Sequence, residues 1–228
     1  MAEPEVSPGL MTPPTAPAIP AQAAPAASPW LQILHVAWLS ILLGLLLELV
    51  LVLYALASKQ AGGPQLFLPD LVQKVAWGFI VCVGVAFGTT ASKAPETRAG
   101  LLGLISAPLA FLVARSLHKA LGTALGVAGA IAGVSPFLIG GLKGVQYGLF
   151  GGVLGWLGQQ AWGRLGAHLS AGVAFGVTFG LTIVLLMEVG APEPTPAVDL
   201  VSRGLNELIF PVGCAAVVYA GSVLGKKL

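Results

Sequence analysis

The sequence contains few charged residues: Asp, Glu, Lys and Arg make up only 9% of its 228 residues, and the formal net charge is +2. Soluble globular domains carry about 25% charged residues, so the composition excludes an ordinary soluble domain. The Lys and Arg residues form no cluster that could contact phosphates. We therefore expect no nucleic-acid partner.

Cysteine and catalytic motifs are also scarce. The two cysteines, Cys82 and Cys214, fall in apolar segments and are expected to be small buried side chains. The sequence contains no CxxC, HxxxH or HExxH spacing, no catalytic set of Ser, His and Asp, and no pair of intramembrane Asp residues. We expect no metal, no cofactor and no enzymatic activity.

Apolar residues are abundant: 56% of the chain is hydrophobic, and its mean hydropathy is +0.90. A helix needs about 20 apolar residues to cross a hydrocarbon core about 30 Å thick. The sequence predicts an all-α, multi-spanning membrane bundle with about seven spans, or six if residues 99–142 contain a re-entrant segment. The expected spans are Leu31–Ala57, Leu71–Ser92, Ala99–Ala114, Ala120–Leu142, Gly144–Trp162, Leu165–Met187 and Leu200–Leu224.

Two regions are expected from composition. Residues 1–29 contain eight Pro and eight Ala, which predicts a disordered or extended tail before the transmembrane domain at 30–228. Across seven spans, seven Lys and Arg residues fall on the C-terminal side and four on the N-terminal side. This bias predicts an N-terminus outside and a C-terminus in the cytoplasm. The expected location is the cell (inner) membrane.

Glycine repeats predict where helices pack closely. Small residues four apart form a flat strip on one helix face, which lets a neighbouring backbone approach. Such strips are expected to join helices of this chain, or to bind a second copy or other membrane subunits. The lipid bilayer is the other expected partner. They comprise Gly140, Gly144, Gly148 and Gly152, with Gly172, Gly176 and Gly180 further along.

Glu48 is the strongest functional candidate, because it stands among leucines and valines in the first span. A carboxylate at the centre of a spanning helix costs about 2.5–3.5 kcal/mol, so it should face protein or water. It either binds an ion or proton, or pairs with a base on another helix. Arg115, Lys143 and Arg203 are the candidate bases.

Other polar features are weaker candidates. The four-residue spacing of Asp199, Arg203 and Glu207 places them on one helix face. They either neutralise one another as a charge ladder, or Arg203 lines an anion path or neutralises Glu48. Gln146 is expected to bond between helices, or to line a pocket. Proline removes a helix hydrogen bond and frees carbonyls that could coordinate an ion or simply bend the helix. The expected breaks are Pro108, Pro136 and Pro211.

Two functions fit these features. Proline breaks and Glu48 favour a transporter or channel for an ion or small solute, without a cofactor. Glycine strips and the lack of large soluble loops favour a non-catalytic scaffold subunit of a larger membrane complex.

Overall fold

The computed structural model describes residues 29–58, 67–90, 93–127 and 134–225. Apart from turns and loops, these residues form helices and no strand, which confirms the predicted all-α class. The expected tail at 1–29 lies outside them, apart from Pro29. The described helices are α1 (Pro29–Ala57), α2 (Phe67–Thr89), α3 (Pro95–Ala124), α4 (Pro136–Leu157), α5 (Leu165–Val189) and α6 (Ala197–Leu224).

All six described helices are long and apolar enough to cross a membrane, so the favoured count of seven becomes six. The difference arises within residues 99–142. Here α3 is one helix of 30 residues that continues past the charged positions 115–119. Long basic side chains near a helix end can extend to the interface, so these charges do not end the helix. The segment expected as a separate fourth span is divided between α3 and α4.

Consecutive helices run antiparallel and close into a ring. In the α1–α2 pair, Gly44 lies opposite Val75, while Ser40 lies opposite Gly78 further along α2. The ring closes where α6 returns along α1, so that a Cβ atom placed on Gly225 would lie 3.0 Å from Cβ of Gln32. Both ends of the described chain therefore lie at one end of the bundle, which we call the terminal end.

The expectation that the termini lie on opposite sides rests on seven spans. That expectation requires an odd number of crossings. The six described helices, each antiparallel to the next, return the chain to the end where it began. The α1–α2, α3–α4 and α5–α6 connections lie at the opposite end, which we call the far end.

The long glycine strip lies against α3 of the same chain. A Cβ atom placed on Gly144 would lie 2.9 Å from Cγ of Pro108, and one on Gly148 would lie 3.2 Å from Cβ of Leu104. At the two ends of the strip the approach is looser: the Cβ on Gly140 would lie 3.5 Å from Phe111, and that on Gly152 would lie 3.6 Å from the Glu96 carbonyl.

The second strip packs against α6. A Cβ atom on Gly172 would lie 2.6 Å from Cα of Val212, and one on Gly176 would lie 2.9 Å from the Leu208 carbonyl. A Cβ atom on Gly180, the third glycine of this strip, would lie 2.9 Å from Cβ of Glu207. In lipid, such close backbone packing supplies association that apolar side chains alone do not.

The centre of the ring is filled by aromatic side chains from α2, α4 and α6. The ring centroid of Trp77 lies 5.7 Å from that of Tyr147 and 5.8 Å from that of Phe210, both edge to face. Cys82 and Cys214 are free thiols in this core. Trp77 of this aromatic cluster contacts Lys143, one of the charged residues described next.

Candidate functional site

Glu48 is buried in the bundle, with 4% of its surface exposed. The Nζ atom of Lys74 on α2 lies 2.5 Å from its Oε2 atom. The two helices approach closely here because Gly44 lies one turn before Glu48: a Cβ atom at Gly44 would lie 2.8 Å from Cα of Val75. The partner is thus Lys74, and the three bases considered from the sequence are not the ones that Glu48 contacts.

A second buried pair joins α4 to α6. Lys143, which is 6% exposed, donates a hydrogen bond to Oε2 of Glu207. Its Nζ atom also lies 5.3 Å from the centroid of the Trp77 ring, within the range of a cation–π contact. Desolvated cation–π contacts contribute about 2 kcal/mol. The lysine is therefore held by both a carboxylate and an aromatic face.

The expected Asp199–Arg203–Glu207 ladder does not form. Glu207 is turned towards Lys143, whereas Asp199 and Arg203 are exposed on the surface of α6. In the part of the chain that the structure describes, no ion pair joins Arg203 to either acid. Spacing places the three residues on one helix face, but the buried base on α4 binds the innermost acid.

We call Glu48, Lys74, Lys143, Gln146 and Glu207 the polar layer. Its four ionisable members lie seven to ten residues from the helix ends at the far end of the bundle. At 1.5 Å per residue this is about 10–15 Å along the helices from those ends. Each charge has an opposite partner, so the layer is neutral.

Gln146 is the unusual member of the layer. It is 0% exposed, and neither its amide oxygen nor its amide nitrogen has a hydrogen-bond partner among the described residues. The expected bond from Gln146 to another helix is not formed. Gln159, just after the end of α4, does donate a hydrogen bond to Glu96 of α3. Burying an unpartnered amide costs about 2–7 kcal/mol, depending on the reference state. A ligand that bonded to the Gln146 amide would remove this cost.

The proline residues do not break the bundle. Pro136 occupies the first turn of α4, where the missing N–H would have no helical partner, so it does not interrupt α4. Pro108 and Pro211 lie inside helices that continue past them.

The carbonyls freed by the two internal prolines face glycines of a neighbouring helix. A Cβ atom placed on Gly144 would lie 3.0 Å from the Leu104 carbonyl, four residues before Pro108. Likewise, one on Gly180 would lie 3.4 Å from the Glu207 carbonyl, four residues before Pro211. Glycine Cα–H groups can contact such oxygens weakly, so these carbonyls are covered by protein.

Two open grooves lie on the outer surface, one along α1 and α2 and one along α3 and α4. The first is lined by apolar side chains alone, including Leu45, Val75 and Phe79. The second follows the long glycine strip and carries Glu96 at one end. Because they face outward and are apolar, acyl chains would fill them. The chemistry of the molecule therefore concentrates in the polar layer.

Reasoning from the sequence did not pair Lys74 with Glu48 or Lys143 with Glu207, although each lysine stands in an apolar segment. That isolation was the available signal, because an ionisable side chain inside a span is costly and calls for a partner. The fold defines the class of the molecule: a multi-pass helical membrane protein with two buried ion pairs. Comparison with family models, with curated proteins and with solved structures gives no match.

Proposed function

We propose that this chain moves a small ion or polar solute across the membrane, with the polar layer as its binding site. The observation that carries the proposal is the burial of two Lys–Glu pairs near the middle of an apolar bundle. Ionisable groups at this depth are expensive, and in membrane proteins they mark ion and substrate pathways. Glu48 remains a candidate ion- or proton-binding group within this layer.

The two internal prolines support movement around the layer. Pro211 lies four residues after Glu207, and Pro108 packs on Gly144, next to Lys143. A proline leaves one helix hydrogen bond unmade, and helices bend at such points. Bending of α6 at Pro211 would separate Glu207 from Lys143 and open the pair to a solute.

The alternative, a scaffold subunit, loses its main argument. It was suggested by the glycine strips, which could have packed against another protein. In the structure, both long strips pack against neighbouring helices of the same chain. The buried ion pairs have no place in a scaffold role that needs only apolar packing, since apolar residues of similar volume would stabilise the bundle as well or better.

A flux experiment tests the transport proposal. The full chain is reconstituted in liposomes, and movement of H⁺, Na⁺, K⁺, Cl⁻ and a radiolabelled amino-acid mixture is compared with that in protein-free vesicles. We expect the wild type to move at least one of them, and Glu207→Gln and Glu48→Gln to reduce that rate at least about tenfold.

The matched control is Glu193→Gln, which makes the same change at an exposed position between α5 and α6 and should leave the rate unchanged. Wild-type liposomes that move none of these probes would contradict the proposal. Equal rates in the wild type and in both buried variants would contradict it too.

A topology prediction follows from the six helices. We propose an inner-membrane location with both termini on the same side, because the described ends meet at the terminal end of the bundle. After Cys82 and Cys214 are replaced by Ala, a single cysteine is introduced either by Ser7→Cys or directly after Leu228. A membrane-impermeant maleimide added to sealed vesicles should label both positions or neither. Labelling of only one position would require an odd number of crossings.

A further inference from the structure

We propose that Lys143, Gln146 and Glu207 bind a small zwitterion, a molecule with one ammonium and one carboxylate group, such as a free amino acid. This inference rests on the proposed transport function and names the substrate class of the same site. It is carried by one fully buried amide without a partner, beside one buried ion pair.

The first argument is the position of Gln146. It follows Lys143 by three residues on α4, and residues three apart on a helix are neighbours on one face. Buried polar side chains are nearly always hydrogen-bonded, yet both amide atoms of Gln146 lack a partner within the described residues. The amide offers one acceptor oxygen and two N–H donors, so it suits a ligand that carries both donors and acceptors.

The second argument is charge balance. A lone cation that replaced Lys143 on Glu207 would leave the lysine charge buried without a partner. A lone anion that replaced Glu207 on Lys143 would strand the carboxylate in the same way. Stranding one member of a buried pair is strongly unfavourable. A zwitterion avoids both costs, because its carboxylate binds Lys143 while its ammonium binds Glu207, and the layer stays neutral.

The walls of the site limit the size of the ligand. Gly180 of α5 is close to Glu207, since a Cβ atom there would lie 2.9 Å from Cβ of the glutamate. On the other side lies the Trp77 ring, already in contact with the Lys143 ammonium. An aromatic face that accepts one ammonium group can accept that of a ligand as well. The site therefore favours a compact ligand.

The test is thermal unfolding of the detergent-solubilised full chain. Glycine, alanine and betaine are added as zwitterions, while sodium acetate and methylamine hydrochloride serve as single-charge controls at equal concentration. We expect at least one zwitterion to raise Tm with the logarithm of its concentration, by about 3–6 °C at ten times its Kd. Acetate and methylammonium, each alone, should give no such shift.

Two variants locate the effect. Gln146→Leu removes the unpartnered amide, so it should unfold at or above the wild-type Tm without ligand and lose the zwitterion shift. A merely structural amide would instead lower Tm when replaced. Gln160→Leu makes the same change beyond the end of α4 and should keep the shift.

Three results would overturn the inference: no shift with any zwitterion, a full shift with acetate or methylammonium alone, or a zwitterion shift retained in Gln146→Leu. None of them bears on ion flux in liposomes. Ion flux without a zwitterion shift therefore rejects this inference alone, whereas the absence of all flux rejects the transport proposal.

Discussion

Lys143→Met should lower the free energy of unfolding by about 3–5 kcal/mol, because it leaves the Glu207 carboxylate buried without its partner. The lysine is almost fully buried, so water cannot replace the lost contact. Unfolding of the purified chain in detergent, followed by circular dichroism, measures the change.

The double variant Lys143→Met/Glu207→Leu should recover most of this loss, since replacing both members of a buried pair by apolar residues is often neutral or stabilising. The matched control is Lys119→Met, which removes an exposed lysine near the end of α3 and should change stability by less than about 0.5 kcal/mol. If Lys143→Met unfolds like Lys119→Met, the pair with Glu207 contributes nothing to the bundle.

Gly148→Leu should destabilise the chain by about 3 kcal/mol, the upper part of the range for overpacking. A Cβ atom placed there would lie 3.2 Å from Cβ of Leu104 and 3.4 Å from the Gly100 carbonyl, so a leucine would force α3 and α4 apart. Separating them loses the close contacts that hold helices together in lipid. The yield of monodisperse protein and its thermal unfolding report the effect.

Leu149→Ala is the control for this change, because the neighbouring side chain is 56% exposed. It removes most of the leucine side chain, yet it should leave Tm within about 2 °C of the wild type. A Gly148→Leu protein that unfolds at the wild-type temperature would show that the α3–α4 contact is not what stabilises this bundle.

Hydropathy located most of the helices but misplaced several of their ends. The second helix begins at Phe67, four residues before the expected Leu71, and α4 begins at Pro136, eight residues before the expected Gly144. The second shift moves Lys143 from an expected loop into α4, and the first places Lys74 deeper inside α2. The second shift also turns Pro136 from an expected break into the first turn of a helix.

The sequence by itself determined the class of this protein and the cost of its buried charge. Long apolar segments allow only helices in lipid, because every backbone polar group must bond within its own segment. The same reasoning required Glu48 to face the interior, since hydrocarbon cannot solvate a carboxylate. Both conclusions depend only on local composition.

Only the tertiary structure decided which charges meet. Glu48 pairs with Lys74 and Glu207 with Lys143 because close backbone packing sets the rotation and depth of each helix relative to its neighbours. The same packing leaves Gln146 without a partner beside the second pair. Such contacts join residues 26 to 64 positions apart in the chain, and local hydropathy holds no record of them because the energy that selects them arises between helices.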